Sequence, residues 1–140
     1  MNTLYTAEAL ATGGGRNGHV TTSDARLDLD LAVPTEMGGS GQGANPEQLF
    51  AAGYAACFHS ALQSVAREAK VSISDSSVGA RVGIGALDAR GFGLEVTREV
   101  VLPGLPADQA QSLAVQAHQV CPYSNATRGN IDVTINVVED

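Results

Sequence analysis

The sequence has no tryptophan, a single lysine (Lys70), two cysteines and six aromatic side chains in 140 residues. Basic residues are scarce, eight against fifteen acids, for a net charge of −7 and a pI near 4.7. A chain this acidic offers no basic footprint for phosphates, which argues against a nucleic-acid partner. No apolar run approaches the ~20 residues that span a bilayer, and no basic-then-apolar leader follows Met1. Neither membrane insertion nor secretion is indicated, and a cytoplasmic location is expected. Internal repeats and low-complexity tracts are missing too. A composition 44% hydrophobic and 16% charged reads as globular, and 140 residues suit one domain, 1–140. In a reducing compartment two cysteines make a poor structural disulfide and a better redox or catalytic pair. Cys57 and Cys121 are therefore the first residues to place.

Residues 3–11 lead loosely into Gly13-Gly14-Gly15, a strand-then-turn signal. From Arg26 to Val33 the chain alternates: Leu27, Leu29, Leu31 and Val33 share one face, as in a half-buried strand, and Pro34 ends it. A glycine-rich loop over 38–43 precedes the strongest helix start. Asn45 suits the N-cap, Pro46 the first helical position, and Gln48 the place where a capping box takes Glu or Gln. The helix is predicted over 46–69. Leu49 to Phe58 carries no charged or strongly polar side chain, so this half must be covered on every side. At ~1.5 Å per residue the helix is roughly 36 Å long, about the width of a whole domain of this length. One small chain struggles to wrap it, and a partner subunit is expected.

Val78, Ala80, Val82, Ile84 and Ala86 alternate with small or polar residues, Asp88-Ala89-Arg90-Gly91 turns, and Phe92, Leu94, Val96, Val100 and Leu102 return on even positions. That is a hairpin. Ala110, Leu113, Ala114 and Ala117 mark an amphipathic helix that ends near Val120, because Cys121 precedes Pro122. The segment 122–130 reads as a long loop, and Ile131, Val133, Ile135 and Val137 as a closing strand. Hairpins without a repeated βαβ unit predict an α+β fold with antiparallel sheets.

Cys57 lies twelve positions past the cap, beyond the reach of the helix dipole. Apolar surroundings raise a thiol above its ordinary ~8.5, so a reactive Cys57 needs a nearby cation. Otherwise it is an inert core cysteine. Cys121, at a helix end before a loop-like segment, suits a mobile thiol that resolves a sulfenic acid. Cys57, His59, His118 and Cys121 are four potential zinc ligands, but residues two apart on a helix point to different sides, which leaves three at best; no metal or cofactor is expected. Glu47 sits in a first helical turn, where an acid is favourable anyway, and Arg16 follows three glycines in a turn.

Three stretches carry a family resemblance. The run from Asn45-Pro46-Glu47-Gln48 through Tyr54-Ala55-Ala56-Cys57-Phe58 closely resembles the central helix motif of the organic hydroperoxide resistance (Ohr) proteins, in the Ohr/OsmC family. The run Cys121-Pro122-Tyr123-Ser124-Asn125-Ala126-Thr127-Arg128-Gly129-Asn130 resembles that family's second-cysteine motif, and Gly14-Gly15-Arg16-Asn17-Gly18 its glycine-flanked arginine. The 64 positions between the cysteines also fit, and the resemblance spans essentially the whole chain. His59-Ser60, His19 and a glycine loop about one residue short depart from the family pattern.

The resemblance implies an OsmC/Ohr-like fold in an intertwined homodimer, its sheets packed on a long buried central helix. It also implies thiol peroxidase chemistry on organic hydroperoxides. Cys57 would be the peroxidatic residue and Cys121 the resolving one, closing a Cys57–Cys121 disulfide that a dithiol, notably a lipoylated protein, reopens. Arg16 would stabilise thiolate and peroxide, and Glu47 would orient Arg16. Phe50, Tyr54, Phe58 and Tyr123, four of the six aromatic residues, all lie within seven positions of a cysteine and are candidate substrate-binding residues. On one straight helix Glu47 and Cys57 are about 15 Å apart along the axis and about 80° apart around it, so Glu47 is expected to approach the thiol from a partner chain. Three alternatives stay open: an OsmC-branch peroxidase, a peroxide-sensing protein without efficient turnover, and a core-helix dimer with inert thiols.

Overall fold

The computed structural model describes residues 1–138. The chain divides into two compact units, Met1–Leu49 and Phe50–Asp140, each with its own three-stranded sheet.

In the first unit β1 (Ala9–Thr12), β2 (His19–Thr22) and β3 (Asp28–Asp30) form an antiparallel sheet in that order. A single 3₁₀ turn over Gly15–Asn17 joins β1 to β2. The strand expected over 26–33 shrinks to three residues, for a local reason. Residues 23–27 are spent on the β2–β3 turn, where Thr22 Oγ1 donates to Asp24 and accepts from the Leu27 amide, and Ala25 has φ +62°. Beyond Asp30 the chain leaves the ladder. Leu31 N donates to Gly18 O, and Ala32 N donates to Ala44 O. Ala32 is consequently the buried residue here, while Leu27 stays exposed.

The predicted helix start is realised as a reciprocal capping box. Gln48 N donates to Asn45 Oδ1 (2.8 Å) and Asn45 N donates to Gln48 Oε1 (3.1 Å), which satisfies two of the amides a helix start leaves without partners. From there α1 runs Pro46–Glu68.

In the second unit β4 (Ser77–Ala86) and β5 (Phe92–Val101) make the predicted hairpin. The helix α2 (Ala107–Val120) buries the four predicted residues, Ala110, Leu113, Ala114 and Ala117. One core joins α1 (Tyr54, Phe58, Ala61, Leu62, Val65, Ala66), β5 (Val96, Val100), Leu102, α2 and Cys121. Burial of these side chains at roughly 25 cal/mol per Å² is the main source of the unit's stability. The opposite face of α1, at Ala52 and Ala56, remains exposed in the single chain.

Two expectations are corrected. The sheets are not wholly antiparallel, because β6 (Val133–Val138) lies parallel to β5, Val96 opposite Val133 and Val100 opposite Val137. A parallel neighbour needs a long crossover, and the helical segment between β5 and β6 supplies it. The segment after Cys121 is not a loop: Pro122–Thr127 forms a short helix, α3, with Ser124 and Thr127 buried. Pro122 ends α2 and then starts α3, since a proline fits the first position of a helix as well as it breaks one already running.

Candidate active site

The first cluster lies in the N-terminal unit. Glycines bracket Arg16 because the turn requires them. Gly15 has φ +65°, and a Cβ on Gly18 would stand 2.2 Å from Thr12 O. The turn so formed presents Arg16 to Glu47 in a bidentate pair, Nη1 donating to Oε2 at 2.9 Å and Nη2 to Oε1 at 2.7 Å. The arginine side chain is 37% exposed and the carboxylate 13%, so the guanidinium is held in one plane yet keeps a face toward solvent. The hydrogen bond from Arg16 holds the Glu47 carboxyl below the ordinary carboxylate range, and the same bond raises Arg16. Both members of this pair are charged at neutral pH.

The second cluster lies in the C-terminal unit. Cys57, in mid-α1, and Cys121, at the α2–α3 junction, are both free thiols with sulfurs 3.6 Å apart. Cys121 is fully buried and Cys57 half-buried. Burial pushes the Cys57 thiol up, the backbone N–H of Tyr123 draws it down, and the adjacent Cys121 thiol raises it again. The net shift is upward, so the need for a cation, argued from the sequence, stands.

Tyr123 reaches this place because α1 has no side chain at Gly53. A Cβ there would lie 2.7 Å from the Tyr123 hydroxyl and 3.2 Å from its Cζ. Phe50, Tyr54 and Tyr123 then form an aromatic cluster with ring centres 5.5–6.0 Å apart. Within it Phe50 and Tyr123 keep some exposure, while Tyr54 is fully buried. Phe58 is fully buried as well and turns into the core. Of the four expected substrate-binding side chains, Tyr54 and Phe58 are the two buried in the single chain.

What they pack around was missed in the sequence. Arg98, on β5, is fully buried. Its guanidinium carbon stands 4.1 Å from the Phe58 ring centre and 4.6 Å from that of Tyr54. Nη1 donates to Ser124 Oγ and Nη2 to His118 Nδ1, both at 3.0 Å, and Nε has no partner. Ser124 Oγ also accepts from the Tyr54 hydroxyl, which lies 3.1 Å from Thr127 Oγ1. The signal was present: position 98 falls on the even, inward face between Val96 and Val100, where strict alternation places a charge inside. The two histidines considered beside the cysteines are engaged elsewhere, His118 with Arg98 and His59 Nε2 with Ser76 Oγ at 2.9 Å.

Comparison with known proteins shows the family to which the chain belongs. A family model described as OsmC-like protein matches residues 39–136. An organic hydroperoxide resistance protein of Xanthomonas axonopodis pv. citri is 52% identical over 136 residues, covering 96% of this chain and 94% of that protein. The chain belongs to the organic hydroperoxide resistance branch of the OsmC-like family. Solved structures of this branch share the fold closely. The crystal structure of an organic hydroperoxide resistance protein from Elizabethkingia anophelis superposes with a TM-score of 0.95 at 51% identity, covering 100% of both chains. That of OhrB from Bacillus subtilis gives 0.89 at 45%, covering 97% of this chain and 100% of the other. The α+β fold expected from the sequence is therefore that of the Ohr/OsmC family.

Proposed function

We propose that the protein is a cysteine-based peroxidase that reduces organic hydroperoxides to alcohols. The observation that carries this reading is the pair of free thiols, Cys57 and Cys121, with sulfurs 3.6 Å apart at the junction of α1, α2 and α3, in a chain whose relatives are named for hydroperoxide resistance. The Cys57 thiolate attacks the distal peroxide oxygen, the O–O bond breaks, and the alkoxide leaves and takes a proton to become the alcohol. Cys57 is left as a sulfenic acid. Cys121 then attacks the Cys57 sulfur and expels water, which closes the disulfide. A dithiol, of the lipoyl type in our reading, returns both thiols.

Arg16 stabilises the thiolate and the developing oxyanion, and Glu47 fixes the plane of its guanidinium. The helical offset between Glu47 and Cys57 favours an arrangement in which the Arg16–Glu47 pair serves the thiol of a partner chain, with residues 1–140 as the functional unit of a homodimer. Exposed Ala52 and Ala56, within the stretch Leu49–Phe58 of α1 that carries no charged or strongly polar side chain, support that association. Phe50 and Tyr123, the half-exposed rings beside Cys57, favour hydroperoxides with alkyl, aryl or fatty-acyl tails. A reducing compartment such as the cytoplasm suits two free thiols.

The test is steady-state consumption of cumene hydroperoxide with dihydrolipoamide as reductant. Turnover that disappears in Cys57→Ser supports the peroxidase. One oxidation per chain without recycling points to a sensor instead, and unchanged thiols point to an inert pair.

A further inference from the structure

Arg98 takes no part in the oxidation of Cys57 proposed above, yet it is the largest fully buried side chain of the described residues. A buried cation is costly unless an anion answers it. Among the described residues no carboxylate lies within 4 Å of Arg98; its partners are a hydroxyl, a neutral imidazole nitrogen and two ring faces, and Nε has none. Rings and neutral acceptors offset part of the cost, but the charge itself stays uncompensated.

The two residues it bonds place it at the Cys121 junction. His118 precedes Cys121 by three positions and Ser124 follows it by three, so the guanidinium bridges the last turn of α2 and the first of α3 across the Cys121 junction. The two rings it stacks on, Tyr54 and Phe58, flank Cys57 on α1. Cys121 shares the buried core with Tyr54 and Phe58 of α1, and its sulfur lies 3.6 Å from that of Cys57. The Tyr54 hydroxyl is committed to Ser124 and Thr127. Burial, then Arg98 and Arg128, keep His118 neutral. Burial also lowers Arg98 itself, and Tyr54 and Cys121 draw it back up.

We propose that Arg98 is a positioning residue that braces the Cys121 junction through His118 and Ser124 and offsets the negative charge that develops on Cys121 Sγ, and so makes Cys121 the leaving group when a dithiol reopens the Cys57–Cys121 disulfide. This rests on the peroxidase reading above. One thiolate of the reductant attacks Cys57 Sγ, the half-exposed sulfur. The S–S bond breaks and its electron pair goes to Cys121 Sγ. The second thiol of the reductant attacks its own sulfur now bonded to Cys57, expels the Cys57 thiolate and closes the reductant as a disulfide. Two electrons and two protons pass from dithiol to protein. Leaving-group stability sets both the rate of such an exchange and the sulfur attacked.

The experiment uses the full chain with its disulfide made chemically by diamide, so that it does not depend on peroxidase activity. Reduction by dihydrolipoamide is followed in wild type, Arg98→Met and Arg98→Lys, and the mixed disulfide formed with excess N-acetylcysteamine is mapped by peptide mass spectrometry. The adduct is expected on Cys57 in wild type. Reduction is expected to slow roughly tenfold in Arg98→Met, with most of the rate restored in Arg98→Lys, a rescue that loss of packing does not predict. An adduct on Cys121 in wild type, or equal reduction rates in all three proteins, overturns the proposal. Should Arg98→Met fail to fold by circular dichroism, the wild-type adduct and the Arg98→Lys rate still decide. A wild type inert to hydroperoxide removes the peroxidase reading but leaves this measurement interpretable.

Discussion

Two arginines, one in each unit, live under opposite conditions. Arg16 stands on a glycine-framed turn, over a third exposed, with a carboxylate locked across its fork. Arg98 is sealed in the core with hydroxyl, imidazole and ring faces for company. A paired, half-exposed guanidinium is fixed in direction and free on one face, which suits a substrate that comes and goes. An unpaired, buried one keeps its full charge where the effective dielectric is low, which suits an anion that appears and vanishes inside the protein. In the proposed cycle each serves one cysteine, Arg16 the attacking Cys57 and Arg98 the departing Cys121.

Substitutions separate the two roles. The largest effect is expected from Arg16→Met, which should lower the second-order rate of hydroperoxide reduction by on the order of 10²–10³-fold. Glu47→Gln should cost about tenfold, because it acts only through the orientation of Arg16. Stopped-flow oxidation of the reduced protein reads both. If Glu47→Gln is as damaging as Arg16→Met, the carboxylate does more than orient. Two packing substitutions on α1 act mainly on stability. Gly53→Ala puts a methyl 2.7 Å from the Tyr123 hydroxyl and should cost about 1–3 kcal/mol by urea unfolding, with slower oxidation as Tyr123 is displaced from Cys57. Tyr54→Phe removes a buried hydroxyl that serves Ser124 and Thr127 and should cost about 1–2 kcal/mol.

Acid provides the mildest test. His118 in the fold is depressed by burial and by Arg98 and Arg128. As pH falls below the ordinary histidine value of 6.5, the unfolded chain takes up a proton that the fold refuses, and stability declines until the depressed value is passed. Glu47, depressed by Arg16, contributes stability that is lost only at lower pH, through and below the carboxylate range. His19 is raised by Asp30 and then Asp28, so its contribution has the opposite sense, present in acid and lost as pH rises through its raised value; its side chain is over a third exposed and the pair is screened. The thermal midpoint should therefore drop between neutrality and pH 5, and His118→Gln should flatten that drop. An unchanged slope in His118→Gln contradicts the assignment of a neutral acceptor beneath Arg98.

Much of the fold and the site was legible in the sequence because it is written locally. Asn45, Pro46 and Gln48 specify a helix start within four residues, and the capping box forms as expected. The buried set of α2 follows from its spacing, and the motifs around Cys57 and Cys121 placed both thiols in one branch of one family. What was misread depends on distant partners or on a residue with two meanings. Pro122 signals an end and a beginning alike, so α3 passed for a loop. The direction of β6 is fixed by the crossover between β5 and β6 and leaves no mark on Val133–Val138 itself. The stacking of Tyr54 and Phe58 on Arg98 could not be read from their places beside Cys57, because Arg98 lies 40 or more positions away in the chain. Arg98 was visible in the alternation of β5, but an inward charge makes sense only once its distant partners, His118 and Ser124, are known.

The most direct test of the division between the arginines is to time both half-reactions on the same two proteins. Oxidation of the reduced chain by cumene hydroperoxide and reduction of its disulfide by dihydrolipoamide are measured for Arg16→Met and Arg98→Met. A crossed pattern is expected, with the larger loss in the hydroperoxide step for Arg16→Met and in the dithiol step for Arg98→Met. If both variants lose most in the same step, the two arginines do not divide the cysteines between them.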